Sequence, residues 1–221
     1  MNIVYCFDND KYREMARLSA QTVLKYNKDA EFYFIEKDKY NELEEFTTDL
    51  CGYSHVSKAC FLRLLIPKYF KQFDRCLYLD CDTVCKGDIS GLYEADFGDN
   101  YIIGCEGIDY SKKQANELGI SFYINSGVLL FNNDLMNKED YFQQIKDRWR
   151  GAIGKPKVFS ADETIINYVF HNKIKKISEK YNYCYNRKYT GREVDPKNVK
   201  IWHITGSDKE NFNKCLNMIT L

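Results

Sequence analysis

Short apolar runs alternate with longer amphipathic ones along this chain. Ile3 to Phe7 is apolar throughout, the pattern of a strand buried on both faces. Tyr12 to Tyr26 follows, with Met15, Leu18, Thr22 and Val23 on one side of a predicted amphipathic helix. Glu31 to Ile35 reads as a second strand and Tyr40 to Phe46 as helix-like. Ser57 to Ile66 predicts a helix with Ser57 near its start and Pro67 marking its end. Arg75 to Leu79, Tyr101 to Cys105 and Asn125 to Phe131 read as further strands. Lys138 to Arg150 and Ala161 to Phe170 read as helices, and Lys173 to Ile177 and Val199 to His203 as late strands. Strand alternating with helix predicts an α/β fold with a mostly parallel central sheet and helices on both faces. Ligands bind such sheets outside the carboxyl ends of the strands. Polar residues that follow a strand are therefore the first candidates for function, beginning with Asp8-Asn9-Asp10 after the opening run.

Composition narrows the classes. A length of 221 residues suits one domain, 1–221. Hydrophobic residues at 44% and charged residues at 29% exclude a disordered chain. With 32 Lys+Arg against 32 Asp+Glu, a broad nucleic-acid or anionic-membrane surface is not expected. The sequence shows no secretory leader and no apolar stretch near the roughly 18 residues of a membrane span. Its nine cysteines therefore read as free thiols. The nearest grouping, Cys76, Cys81 and Cys85, lacks the paired spacing of structural zinc. There is neither a G-x-G-x-x-G nor a P-loop. His171 reads as a helix-end residue and Lys173 to Lys180 as a strand with one solvated face. Tyr181, Tyr183, Tyr185 and Tyr189 could stack a sugar or pack in a core.

Two segments carry chemistry. The strand Arg75-Cys76-Leu77-Tyr78-Leu79 ends in Asp80-Cys81-Asp82. In extended chain, residues two apart share a face about 6.6 Å apart. Asp80 and Asp82 can thus aim two carboxylates at one divalent cation that also holds phosphate oxygens. The alternative is a pair of solvated, turn-forming acids. Near the C-terminus, Ile201-Trp202-His203 is followed by Gly206 and Lys209. A neutral imidazole is a good Mn²⁺ ligand, Gly206 permits close backbone approach, and Lys209 offers a charge to a diphosphate. The alternative is a strand-end histidine, a turn glycine and a surface lysine.

Asp80-Cys81-Asp82 together with His203-x-x-Gly206-x-x-Lys209 resembles glycosyltransferase family 8, which contains the lipopolysaccharide galactosyl- and glucosyltransferases of bacteria and glycogenin. The resemblance runs from Ile3 to about Lys209. It includes the Ile-Val-Tyr-Cys-Phe-Asp opening, the segment from His55 to Arg63, Asn-Ser-Gly-Val-Leu-Leu-Phe-Asn, and Ala161-Asp162-Glu163. It implies the GT-A fold, a Rossmann-like sheet, and transfer of a hexose from a UDP-sugar with retention of configuration. It implies Mn²⁺, with Mg²⁺ as the alternative, held by Asp80, Asp82 and His203. Asp8 would meet the uridine, with Tyr5 and Cys81 beside the nucleotide, and Gly206 and Lys209 would hold the diphosphate. Arg63, Asn125, Ser126 and Asp162 would surround the transferred sugar. His55 and Asp109 would lie near the sugar or the acceptor, Asp109 across a one-residue gap. Arg63, Asp162 and Glu163 are the candidate catalytic side chains.

Two departures from the family's pattern stand out. Well-known bacterial members carry Gln at the position of Glu163, and the usual Pro-Trp after the motif lysine is Glu210-Asn211 here. The basic, aromatic tail by which some members touch membranes is not seen up to Leu221, so a lipid-linked acceptor is less expected. The expectation is a retaining hexosyltransferase for glucose or galactose, acting on a glycan or lipopolysaccharide-type saccharide hydroxyl. Same-face attack is favoured over a covalent intermediate on Glu163, because Gln in relatives shows that a carboxylate is not required there. A non-catalytic UDP-sugar-binding module is the alternative. A sugar-phosphate nucleotidyltransferase is a further one, against which the acidic Asp8-Asn9-Asp10 speaks. The expected place is the cytoplasm, with at most peripheral contact at the inner face of the membrane.

Overall fold

The apolar opening run forms β1 (Asn2–Phe7) inside a six-stranded sheet. The computed structural model describes residues 1–43, 58–107, 110–150, 161–185, 194–205 and 212–220. The sheet also contains β2 (Glu31–Glu36), β3 (Arg75–Leu79), β5 (Ile102–Glu106), β6 (Ile124–Asn132) and β7 (Ile174–Ile177). Its order is β2-β1-β3-β6-β5-β7. β1 pairs in parallel with β2 and β3, and β5 with β7. β6 runs antiparallel to both β3 and β5. The predicted mostly parallel sheet is thus present with one reversed strand. That reversal places the first residues of β6 beside the last residues of β3, with Val128 opposite Leu79.

Strand residues feed two cores alternately, as the two-residue period of extended chain requires. Val4, Cys6, Cys76, Tyr78, Leu129 and Phe131 face one core. Ile3, Tyr5, Phe7, Leu77, Leu79, Val128 and Leu130 face the other. The first core is closed by the 3-10 turns Lys58–Leu65 and by α2 (Ile66–Tyr69), α5 (Asn133–Lys138), α6 (Tyr141–Arg150) and α7 (Ala161–Phe170). The second is closed by α1 (Asp10–Tyr26), α3 (Ser90–Tyr93) and α8 (Phe212–Thr220). On the outer edge, β7 exposes Lys175 and Lys176, and Lys176 pairs with Glu106. Edge lysines of this kind oppose pairing with another chain.

α1 starts on Asn9, whose side chain accepts from the Tyr12 N–H. Its buried stripe is mostly small: Ala16, Ser19, Ala20 and Thr22 accompany Met15 and Val23, while Leu18 is partly buried at the rim. Small residues bring the helix close to β4 (Thr83–Cys85), an element the pattern did not predict. β4, β9 (Ile201–His203) and β8 (Tyr183–Cys184) form a second, three-stranded sheet in the order β4-β9-β8. α3 and α4 (Tyr110–Leu118) were also not predicted.

Three predicted helices differ. Lys37–Leu43 forms 3-10 turns where Tyr40 to Phe46 was read as helix-like, and residues 44–57 lie outside the described residues. Lys58–Leu65 is 3-10, and Pro67 opens α2 instead of ending a helix. Proline fits a first helical turn because its missing N–H would have no partner there. The expected helix Lys138 to Arg150 starts only at Tyr141, as α6, because α5, which was not predicted, ends at Lys138. Asp140 at φ 48° breaks them apart, and its carboxylate accepts from the Gln143 N–H at 3.3 Å.

Asn167 ties α7 to the sheet. Its amide oxygen accepts from the Ile124 N–H at 2.7 Å, and its NH₂ donates to the carbonyls of Ile124 at 2.9 Å and Glu163 at 2.8 Å. Asn167 is fully buried. An Asn167→Ala variant strands buried backbone groups and is expected to lose about 2–4 kcal/mol, read from urea unfolding at unchanged m-value.

Candidate active site

The Asp80–Asp82 turn is pinned on all sides. The Asp80 N–H donates to the Gly127 carbonyl at 2.8 Å, joining the turn to β6. The Thr83 N–H and hydroxyl donate to the Asp80 carbonyl at 3.1 and 2.9 Å. Beneath it, the hydroxyls of Tyr5, Ser19 and Thr83 form a buried chain with both spacings 2.9 Å. β4 pairs antiparallel with β9 so that Thr83 faces His203, and the Ile204 N–H donates to the Asp82 carbonyl at 2.9 Å.

This pairing sets His203 Nε2 3.3 Å from both Asp80 Oδ2 and Asp82 Oδ1. One ligand atom from each of the three residues lies within 4.8 Å of the others. The His203 ring lies against Gly127, where an added Cβ would come within 2.1–2.9 Å of three ring atoms. Nδ1 donates to Asn182 Oδ1 at 3.0 Å. Nε2 is buried and has no hydrogen-bond partner among the described residues. Two carboxylates and an imidazole converging on one point, with the imidazole oriented through its other nitrogen, fit a divalent cation. Burial alone would lower the His203 pKa. The charges of Asp82 and Asp80 override it and hold it well above the ordinary value.

A second cluster shares Asp80. Arg63, 6% exposed, lies with Nη2 3.1 Å from Asp80 Oδ1 and Nε 3.1 Å from Asp162 Oδ2. Its Nη1 donates to the Ser126 carbonyl at 2.6 Å and hydroxyl at 2.9 Å, and its Nε to the Cys60 carbonyl at 2.8 Å. The guanidinium stacks 4.5 Å over the Tyr78 ring, whose hydroxyl donates to Asp80 Oδ1. Ala161, at φ 42°, turns the chain into α7, and the two residues after it bring carboxyl groups to this cluster. Glu163 Oε2 accepts from Asn125 Nδ2 and the Ser126 N–H, each at 2.9 Å, and Oε1 from the Tyr110 hydroxyl at 3.3 Å. Burial pushes the Glu163 carboxyl up to about 7; the Ser126 N–H opposes the shift and Asp162 adds to it. Burial also raises Asp162, against the pull of Arg63.

The structure therefore brings together eight of the candidates: Arg63, Asp80, Asp82, Asn125, Ser126, Asp162, Glu163 and His203. It does not bring in two others. Tyr5 is buried beneath the turn, with its hydroxyl on Ser19. Cys81 is buried, with its thiol donating to the Cys6 carbonyl at 3.4 Å. Asp8, partly exposed at the carboxyl end of β1, accepts from Asn9 Nδ2 at 2.8 Å. His55, Asp109, Gly206, Lys209, Glu210 and Asn211 lie outside the described residues, as does Tyr189. His171 Nδ1 donates to the Tyr168 carbonyl at 3.1 Å, the helix-end role read for it. Tyr181 is buried, and Tyr183 packs edge-on to Trp202 with ring centres 4.8 Å apart. The described cysteines are free thiols. No helix among the described residues is long and apolar enough to cross a membrane.

Four site residues escaped the sequence reading: Tyr78, Tyr110, Gly127 and Asn182. Gly127 stands inside Asn-Ser-Gly and Asn182 inside the tyrosine-rich stretch, so neighbours drew notice to both without marking either.

Comparison with known proteins matches the chain to a family. The model of glycosyl transferase family 8 covers residues 2–210. The chain belongs to glycosyltransferase family 8. Glycosyltransferase GlyA of Streptococcus pneumoniae is 28% identical over 202 residues, 79% of this chain and 27% of the relative. A lipopolysaccharide 1,2-glucosyltransferase of Escherichia coli is 28% identical, with 89% and 60% covered. A lipopolysaccharide 1,3-galactosyltransferase of Salmonella typhimurium is 27% identical, with 67% and 50% covered. This family 8 chain thus spans between 27% and 60% of the length of these relatives. Among solved structures, the galactosyltransferase LgtC with donor and acceptor sugar analogs superposes at TM-score 0.77 and 18% identity, covering 100% of this chain and 97% of LgtC. GlyE of Streptococcus pneumoniae superposes at 0.68 and 19%, covering 99% and 62%. The likeness establishes the GT-A fold.

The raised Glu163 pKa makes a stability prediction. The folded chain holds this proton up to about pH 7, whereas the unfolded chain gives it up near pH 4.5. Glu163 therefore favours the folded state most at low pH, and that contribution is lost as pH rises from about 4.5 to 7, an effect of about 3 kcal/mol. Unfolding of Glu163→Gln, measured by urea titration between pH 4.5 and 8, should lack this part of the slope and be more stable than the parent, relative to low pH, above pH 7.

Proposed function

We propose that the protein, as one catalytic domain over 1–221, transfers glucose or galactose from a UDP-sugar to a saccharide hydroxyl with retention of configuration. The carrying observation is the convergence of Asp80, Asp82 and His203 next to the Arg63–Asp162–Glu163 cluster, with Asp80 common to both. Asp80 faces His203 with Oδ2 and Arg63 and Tyr78 with Oδ1. A diphosphate held at the first cluster therefore has its sugar at the second. Asp80, Asp82 and His203 would hold Mn²⁺, or Mg²⁺ in its place; when bound it supplies Lewis-acid neutralisation of the departing diphosphate. Asp8 is assigned to the uridine, Gly206 and Lys209 to the diphosphate, and His55 and Asp109 to the acceptor side, from the family's motifs.

The chain's own groups act on the sugar. Arg63 is locked by two carboxylates and two carbonyls, so it presents a fixed charge and keeps Asp80 and Asp162 oriented. Asn125 and Ser126 line the same wall. Glu163 is a poor nucleophile: it is 6% exposed, and both of its oxygens already accept hydrogen bonds. This favours same-face attack, in which the acceptor oxygen bonds the anomeric carbon as the bond to UDP breaks. A phosphate oxygen of the leaving group takes the acceptor proton. Asp162, and Glu163 in its ionised fraction, favour the developing positive charge on the sugar ring. A cytoplasmic reaction is the reading that goes with a UDP-sugar donor, since UDP-sugars are made there.

The test is UDP release from a panel of UDP-sugars with Mn²⁺ and saccharide acceptors. One donor is expected to give release that Asp82→Ala abolishes, while Glu163→Gln keeps the rate within about threefold. A loss of about a thousandfold or more in Glu163→Gln would instead make Glu163 the nucleophile. UDP binding without release from any donor would make the protein a binding module.

A further inference from the structure

His203 and Glu163 belong to different halves of the site, yet one directed chain of hydrogen bonds joins them. His203 Nδ1 donates to Asn182 Oδ1 at 3.0 Å. Asn182 Nδ2 donates to Asn125 Oδ1 at 2.8 Å. Asn125 Nδ2 donates to Glu163 Oε2 at 2.9 Å. All four residues are buried, so water offers little alternative to these partners.

The direction of the chain follows from groups that cannot reverse. The Gly127 backbone N–H, which is always a donor, points at Asn125 Oδ1 at 3.0 Å. The Ser126 N–H fixes Glu163 Oε2 as an acceptor. Asn125 must therefore turn its oxygen to Gly127 and its NH₂ to Glu163. Asn182 must then turn its NH₂ to Asn125 and its oxygen to His203. An oxygen there keeps a proton on Nδ1, so Nε2, beside Asp80 and Asp82, is the nitrogen that gives up its proton and turns a lone pair to a metal ion. The backbone holds Asn182 in place: its N–H donates to the Glu179 carbonyl at 3.0 Å, and β8 follows at once, parallel to β9, with Cys184 opposite His203.

We propose that Asn182 is a positioning residue that orients His203 for metal ligation through its oxygen and Asn125 for the sugar pocket through its NH₂, coupling the two halves of the site. It is neither a ligand nor a sugar contact. The inference rests on the reading of Asp80, Asp82 and His203 as a metal site. Its two arms can be separated, because each uses a different atom of one amide.

The experiment is Mn²⁺ titration by calorimetry, without donor, of the parent, Asn182→Ala and Asn182→Asp. Melting temperatures and UDP-sugar turnover are measured alongside. Asn182→Ala should bind Mn²⁺ about 10–100-fold more weakly. Asn182→Asp keeps an acceptor for Nδ1 and should bind Mn²⁺ within about threefold of the parent or more tightly. It has no donor for Asn125, so its kcat should fall by about tenfold or more at saturating Mn²⁺. Asn182→Ser replaces the alanine variant if that one does not fold, with the same expected loss. Parent-like Mn²⁺ binding in Asn182→Ala, equal losses of Mn²⁺ binding in the alanine and aspartate variants, or parent-like kcat in Asn182→Asp would each overturn the proposal. A parent that binds no Mn²⁺ would overturn the metal reading itself, a result distinct from any of these.

Discussion

Four carboxyl groups meet in one largely buried pocket, and the rest of the site is organised around their mutual repulsion. Asp80, Asp82, Asp162 and Glu163 would not share this space as bare anions, since a desolvated charge without a partner costs several kcal/mol. Arg63 bridges Asp80 and Asp162. Glu163 is held by three donors and by a pKa near 7, so part of its population is neutral. His203 carries the balancing charge between Asp80 and Asp82, and must give up its Nε2 proton to serve as a ligand. Asp80, Asp82 and His203 in this acidic pocket could hold a divalent cation.

The fold meets that requirement with two departures from a simple parallel sheet. Reversed β6 enters the sheet at the site, so Asn125, Ser126 and Gly127 stand where other strands present their carboxyl ends. The small sheet swings His203 over Gly127 to face the acid pair. Gly127 serves both arrangements: its carbonyl anchors Asp80 and its bare Cα makes room for the imidazole.

Long buried strands were legible in the sequence because burial on both faces leaves an unbroken apolar run, as in Ile3 to Phe7 and 128–131. β4 and β8 were not, at three and two residues, since so short a run has no period. Pro67 was misread because proline can open a helix as well as close one. In the site, Asp80, Asp82 and His203 were legible as ionisable groups at strand ends. The two aspartates meet through a turn between β3 and β4, closed by the Thr83 N–H on the Asp80 carbonyl, and not through the extended-chain alternation read from the sequence. Cys81, inside that turn, points into the core, and Tyr5 follows Ile3 and Phe7 inward by strand alternation. Asn182 and Tyr110 were illegible, since neutral polar groups acquire meaning only from partners that the folded chain supplies.

The pairing of Thr83 with His203 has a consequence for how the molecule is made. These residues are far apart in sequence, and contacts of such separation form late, after much chain entropy has been given up. During synthesis Asp80 and Asp82 exist for a long interval without their histidine. An ion that requires all three groups recognises the finished tertiary structure and shifts the folding equilibrium towards it by mass action. For a site built this way, an ion bound to all three groups would act on the folded chain as a whole and not on the acid pair alone.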